Sequence, residues 1–164
     1  SEIAGLVVDI MEGLQPQTIE SLNILKETRT PFVIAGNKVD RLHGWRTERG
    51  RSFIESFSAQ REDVQALFED RYWKIVGQFS EHGFNLERYD KISDFRQNVA
   101  LVPMSAKDGE GLQDLLAVTV GHTIVVIPFL LALHRRIFPS LVVVIVAAAL
   151  HLPLLRARWH LRLQ

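Results

Sequence analysis

Asn37, Lys38 and Asp40 stand directly after the apolar run 32–35, Phe-Val-Ile-Ala. Placed at the end of a strand, Asn-Lys-x-Asp carries its carboxylate to the carboxyl edge of a sheet, where open α/β proteins bind ligands. A carboxylate there can accept two hydrogen bonds side by side. Guanine offers such a pair, its ring N1–H and its exocyclic N2 amine; adenine offers neither. A site whose polar group is left unpaired by the wrong ligand can discriminate by roughly 10⁴–10⁵-fold. Asp40 is therefore the candidate base reader.

A second constellation, Ser105-Ala106-Lys107, follows another apolar run at 99–104. The Ala106 backbone N–H is a candidate donor to guanine O6, which adenine replaces with an amine. The methylene stems of Lys38 and Lys107 can cover the two faces of the base while their ammonium groups stay in water. The Asn37 amide can bond the base N7 or tie the two loops together. Alone, each motif is an ordinary turn after a strand. Their joint placement at two strand ends is what selects guanine.

The elements needed to position these residues are legible in the pattern. Residues 3–10 form a short, nearly continuous apolar run, the signature of a strand buried on both faces of a parallel sheet. Pro16 suits a first helical turn, and Ile19, Leu22 and Leu25 continue a helix to about residue 28. Residues 32–36 are the next strand, so the start of the chain is a strand–helix–strand unit. A polar stretch at 41–51 leads into a helical region at 52–82, with a break expected within 58–63 and a stop at Gly83. Residues 85–98 receive no assignment. Residues 99–104 are a third strand, 108–111 a plain Gly-Glu-Gly turn, and Leu112, Leu115 and Leu116 open a last helix. The fold class is α/β.

Charge divides the chain in two. The formal net charge of the 164 residues is zero, yet all 19 acidic residues and 14 of the 19 basic ones precede Ala117. That first part is acidic overall. The remaining cations, Arg135, Arg136, Arg156, Arg158 and Arg162, lie in a tail without a single acid. Domains are accordingly expected at 1–117 and 118–164. Within the tail, 123–133 is too short to cross a bilayer, and 137–155 is an uncharged stretch interrupted by Pro139, His151 and Pro153. Membrane association would run only through 123–155. There is no cysteine, which removes disulfides and thiolate metal sites and fits a cytoplasmic protein. Residues 1–10 lack the basic start and cleavage site of a signal peptide.

Other chemistry finds little support. The histidines, His43, His82, His122, His134, His151 and His160, are scattered without metal spacing, and no serine-centred elbow occurs. Trp45, Trp73, Phe53, Phe57, Phe68 and Phe79 read as packing residues. Arg46, Arg49 and Arg51 read as a solvated loop before they read as an RNA contact.

Asp9 to Ser21 with its Pro16-Gln17-Thr18 helix start, Asn37-Lys38-Val39-Asp40-Arg41, and Ser105-Ala106-Lys107-Asp108-Gly109-Glu110-Gly111 together resemble the archaeal and eukaryotic translation initiation factor five-B family, relatives of bacterial initiation factor two. The helical insertion at 45–98 resembles the archaeal type. The resemblance covers about residues 1–117. It implies a partial Ras-like P-loop GTPase fold, a parallel-strand sheet with flanking helices, followed by an apolar tail of different character. It implies GTP or GDP as ligand, magnesium, and a role in ribosomal subunit joining with the ribosome and initiator tRNA machinery as partners. Asn37, Lys38, Asp40, Ser105, Ala106 and Lys107 would match the family's guanine-binding positions. The chain contains no Gly-x-x-x-x-Gly-Lys-Ser/Thr phosphate loop and no switch motif, so no catalytic residue and no magnesium ligand is assigned, and the chain alone is expected not to hydrolyse GTP. The tail departs from the family, as expected of a lost reading frame near Ala117 or a chimera. The alternatives are a non-catalytic guanine-nucleotide-binding module and a membrane-anchored protein with a remnant guanine site.

Overall fold

The computed structural model describes residues 3–119. In chain order these form β1 (Ala4–Asp9), α1 (Pro16–Glu27), β2 (Phe32–Asn37), a 3₁₀ turn (Val39–Arg41), α2 (Phe53–Ser58), α3 (Glu62–Glu81), β3 (Leu86–Arg88), β4 (Val99–Pro103) and α4 (Leu112–Thr119). The strands make one four-stranded sheet in the order β1-β2-β4-β3, every neighbouring pair parallel. This is the α/β architecture expected from the apolar runs.

The sheet has a core on each face. Leu6, Val8, Ile34 and Leu101 pack on one side with Leu22 of α1 and with Phe53, Phe68, Ile75 and Phe79 of the helical insertion. Val7, Val33, Ala35, Ala100 and Val102 pack on the other with Met104 and Leu115 of α4. Alternation along β1 and β2 sends successive side chains to opposite faces, and both faces are covered, which is why these strands read as continuous apolar runs. All six residues of β2 are buried, and it lies between β1 and β4.

Helix boundaries follow local chemistry. Pro16 opens α1 with φ pre-set and no amide to satisfy. Ser52 caps α2 by accepting from the Glu55 N–H. The break expected within 58–63 falls between Ser58 and Glu62, and Gly83, at φ +83°, follows the end of α3. Strand β3 lies in the stretch the sequence left unassigned. Three residues carry no periodic signal; the strand exists through its pairing with β4 and through Arg88. That buried guanidinium pairs with Asp90 at 2.6 Å and Glu69 at 3.2 Å and lies over the Phe53 and Phe57 rings. Trp73 departs from its expected packing role: it is 61% exposed, touching the ring of Tyr72 edge-on.

Register brings the two motifs together. Asp9 pairs with Asn37, and Gly36 with Pro103, so β1, β2 and β4 finish at one edge of the sheet. The segments that follow β2 and β4 are consequently neighbours, although about 70 residues separate them in sequence.

Candidate guanine-recognition site

Asn37 is the last residue of β2 and is buried. Lys38 follows with φ +73°, turning the chain sharply into the 3₁₀ turn that holds Asp40. The Val39 N–H donates to the Met104 carbonyl at 3.2 Å, locking this turn to the exit of β4. Asp40 is half-buried, and no group among the described residues donates to its carboxylate. Two acceptor oxygens thus stand at the sheet edge without a partner, as a reader of guanine's N1–H and N2 amine requires.

Across the edge, the Ala106 N–H donates to Asn37 Oδ1 at 2.9 Å. Of the two roles open to Asn37, tying the loops is the one this structure fills. The same bond changes the expectation for Ala106. Its N–H, assigned to guanine O6, is committed to Asn37, whereas the adjacent Lys107 N–H has no partner among the described residues. Ser105 is buried and shapes the loop from within. Its N–H donates to the Glu110 carbonyl at 2.9 Å, its carbonyl accepts from the Gly109 N–H at 2.9 Å, and its Oγ accepts from the Asp108 N–H at 3.3 Å.

The lysines differ from one another. Lys107 is exposed, as expected of an ammonium in water. The Lys38 ammonium, expected to stay in water, instead pairs with Asp9: its Nζ lies 2.5 Å from Asp9 Oδ2, on a carboxylate whose side chain is 3% exposed. The cause is the register, which sets Asp9 opposite Asn37. A buried carboxylate requires a counter-charge, and the residue after Asn37 supplies it. Asp9 also accepts from the Met11 N–H at 2.9 Å.

Two further residues went unrecognised in the sequence. Glu110 lies in a turn that reads as filler, yet it is fully buried. Its carboxylate accepts from Trp45 Nε1 and from the Glu48 N–H, each at 3.0 Å. Burial pushes its pKa up, against the opposing effect of those donors. Asp114 accepts from the Phe53 N–H at 2.7 Å. The sequence cue to Glu110 is its place between Gly109 and Gly111; Asp114 carries none. Gly111 itself, at φ +74°, passes so close to β4 that a Cβ would lie 2.4 Å from the Pro103 carbonyl oxygen.

The arginine cluster is a solvated loop in which Arg51 pairs with Glu48 at 2.8 Å and Arg49 is 87% exposed. Among the described residues no group of three His, Asp or Glu side chains converges to hold a metal ion, so the donor set gives magnesium no cluster here. No described helix is long and apolar enough to cross a membrane. The expectations for the tail, including the stretch 123–155, lie outside the described residues.

A family model described as the elongation factor Tu GTP binding domain matches residues 1–124. A probable translation initiation factor IF-2 from Methanoculleus marisnigri is 51% identical over 121 residues, 74% of this chain and 20% of that protein. Its counterpart from Methanoregula boonei is 52% identical with the same coverage. Among solved structures, GDP-bound aIF5B from Aeropyrum pernix aligns with a TM-score of 0.72 at 43% identity, covering 84% of this chain and 21% of that one. The chain therefore spans about a fifth of the length of these relatives.

Proposed function

The chain belongs to the elongation factor Tu GTP-binding domain family, and from that membership we propose that it is the base-reading part of a translation initiation GTPase of the IF-2 and aIF5B kind. Asp40 accepts from guanine N1–H and N2. The Lys107 N–H, beside the committed Ala106 N–H, donates to O6. Asn37 holds the two loops at the right separation, Ser105 sets the turn, and the stems of Lys38 and Lys107 flank the base. The boundary of this unit lies near residue 117. In the longer protein the unit would orient GTP for hydrolysis with magnesium, during the joining of ribosomal subunits beside initiator tRNA in the cytoplasm.

One observation carries this reading: an unpartnered Asp40 carboxylate beside two loops already tied by Asn37 and Ala106. Phosphate chemistry is a different matter. Phosphoryl transfer rests on a phosphate loop, metal and switch residues, and this sequence contains no such loop. Within the chain the activity is therefore binding, and a non-catalytic guanine module is the second reading. The test is an NMR titration of the full chain with GDP and with ADP. GDP should shift the amide signals of Asp40 and Lys107 with a dissociation constant on the order of millimolar, about −4 kcal/mol, and ADP should leave them in place. Equal shifts with both nucleotides would overturn guanine recognition.

A further inference from the structure

We propose that Glu110 is the positioning residue of the base-reading loop, and that through it the helical layer of α2 and α3 is energetically coupled to guanine recognition. This rests on the guanine reading above and extends it to a residue that touches no base.

The loop of Ser105, Ala106 and Lys107 is gripped from two sides. On one side the sheet holds it, through Asn37 Oδ1 and the Ala106 N–H. On the other side stands the strap between Trp45 and Phe53, which leads into α2. Trp45 Nε1 and the Glu48 N–H both end on the Glu110 carboxylate. The Gly50 N–H donates to the Asp108 carbonyl at 3.3 Å and the Gly111 N–H to the Arg51 carbonyl at 2.9 Å. The Phe53 N–H ends on Asp114. Glu110 is the centre of this seam, because its own carbonyl closes the turn by accepting from the Ser105 N–H. One residue therefore holds the base loop with its backbone and the strap with its side chain.

The strap in turn belongs to the helical layer. The Trp45 ring stacks on Phe53 at 6.2 Å with 7° between planes, and Phe53 packs on Phe68 of α3 at 5.0 Å. A shift of α2 or α3 would reach Glu110 through Trp45, and Glu110 would pass it to Ser105. Coupling of this sort is reciprocal, so base binding must also be felt at Trp45.

Glu110→Gln isolates the contact. A glutamine presents one acceptor oxygen to two N–H donors, so one bond is lost whichever way its amide turns. Trp45→Phe removes one of those donors, and in the double variant the single acceptor again suffices for the remaining Glu48 N–H. In the full chain we expect Glu110→Gln to weaken GDP binding about tenfold, with the double variant no weaker than Glu110→Gln. The indole N–H signal of Trp45, assigned by its loss in Trp45→Phe, should move as GDP saturates the wild type. Amide exchange at Ser105 and Ala106 should quicken in Glu110→Gln without nucleotide, while exchange at Val8 and Ile34 stays unchanged.

Additive weakening in the double variant, or a stationary indole signal on GDP saturation, would overturn the coupling. So would unaltered exchange at Ser105 and Ala106. If the wild type fails to bind GDP at all, the guanine reading falls by itself, and the exchange measurement still decides whether Glu110 positions the loop.

Discussion

Asp40 and Lys38 lie two positions apart and yet do opposite work. Asp40 accepts nothing within the described residues, so its removal should cost recognition and spare the fold. We expect Asp40→Ala to weaken GDP binding at least tenfold while the urea unfolding free energy stays within about 0.5 kcal/mol of wild type, the ordinary range for a surface change. Lys38 is the reverse. Lys38→Met strands the buried Asp9 carboxylate with the Met11 N–H as its remaining donor. Leaving a buried group short of its charged partner should destabilise the fold by about 1–3 kcal/mol, read from urea melts; an unchanged midpoint would refute the pairing. The role proposed for Asp40 can be read from sequence because guanine's donor pair has few chemical complements. The ion pair of Lys38 was not. It depends on β1 and β2 being neighbours in a register that aligns Asp9 with Asn37, and no local pattern encodes that alignment. Ala106 teaches the same lesson, since its N–H found Asn37 across the sheet edge.

At the scale of elements, strands buried on both faces announced themselves as apolar runs, and the helices by their apolar spacing and their stops. β3 escaped because three residues cannot show a period; long-range pairing with β4 and the ion pairs of Arg88 define it. The seam between the strap and the base loop escaped for a related reason. Its partners, Trp45 and Glu110, are 65 residues apart, and neither lies in a periodic segment. The seam has a measurable acid–base signature. Burial raises the Glu110 pKa in the fold above its unfolded value. The folded state therefore holds this proton more tightly than the unfolded state. The stability it confers is complete below the ordinary glutamate pKa and is lost as pH rises through the raised one. Glu110→Gln removes that titration and leaves the other groups in place. The stability of wild type minus that of Glu110→Gln should thus fall as pH rises from about 4, the ordinary glutamate range, through the raised pKa and then level off. A difference that climbs with pH would mean that the donors from Trp45 and Glu48 outweigh burial. Gly111→Ala is the geometric counterpart. Its Cβ would meet the Pro103 carbonyl at 2.4 Å in a left-handed backbone, so it should lower stability by at least about 1 kcal/mol.

For the whole molecule, the decisive property is which part of a nucleotide the chain can grip. On the proposed reading the base would meet Asp40, the Asn37-tied loops and the Lys107 N–H at one sheet edge. The phosphates have no glycine-rich cradle anywhere in the sequence, and the part of the chain ending at residue 117 is net acidic. Binding energy should therefore come from the base alone, and affinity should be nearly blind to phosphate number. We expect GMP, GDP and GTP to bind the full chain within about twofold of one another near 0.15 M salt, where the Debye length is about 8 Å. Lowering the salt should turn that near-equality into a preference for GMP, because each added phosphate charge then meets the net acidic stretch before Ala117 with less screening. Isothermal titration at two ionic strengths reads both effects. If GTP bound tenfold tighter than GMP, some segment of this chain would have to cradle phosphate, and the arginines of the tail would be the first residues to replace. Equal affinities would place all of the recognition on the tied loops after β2 and β4.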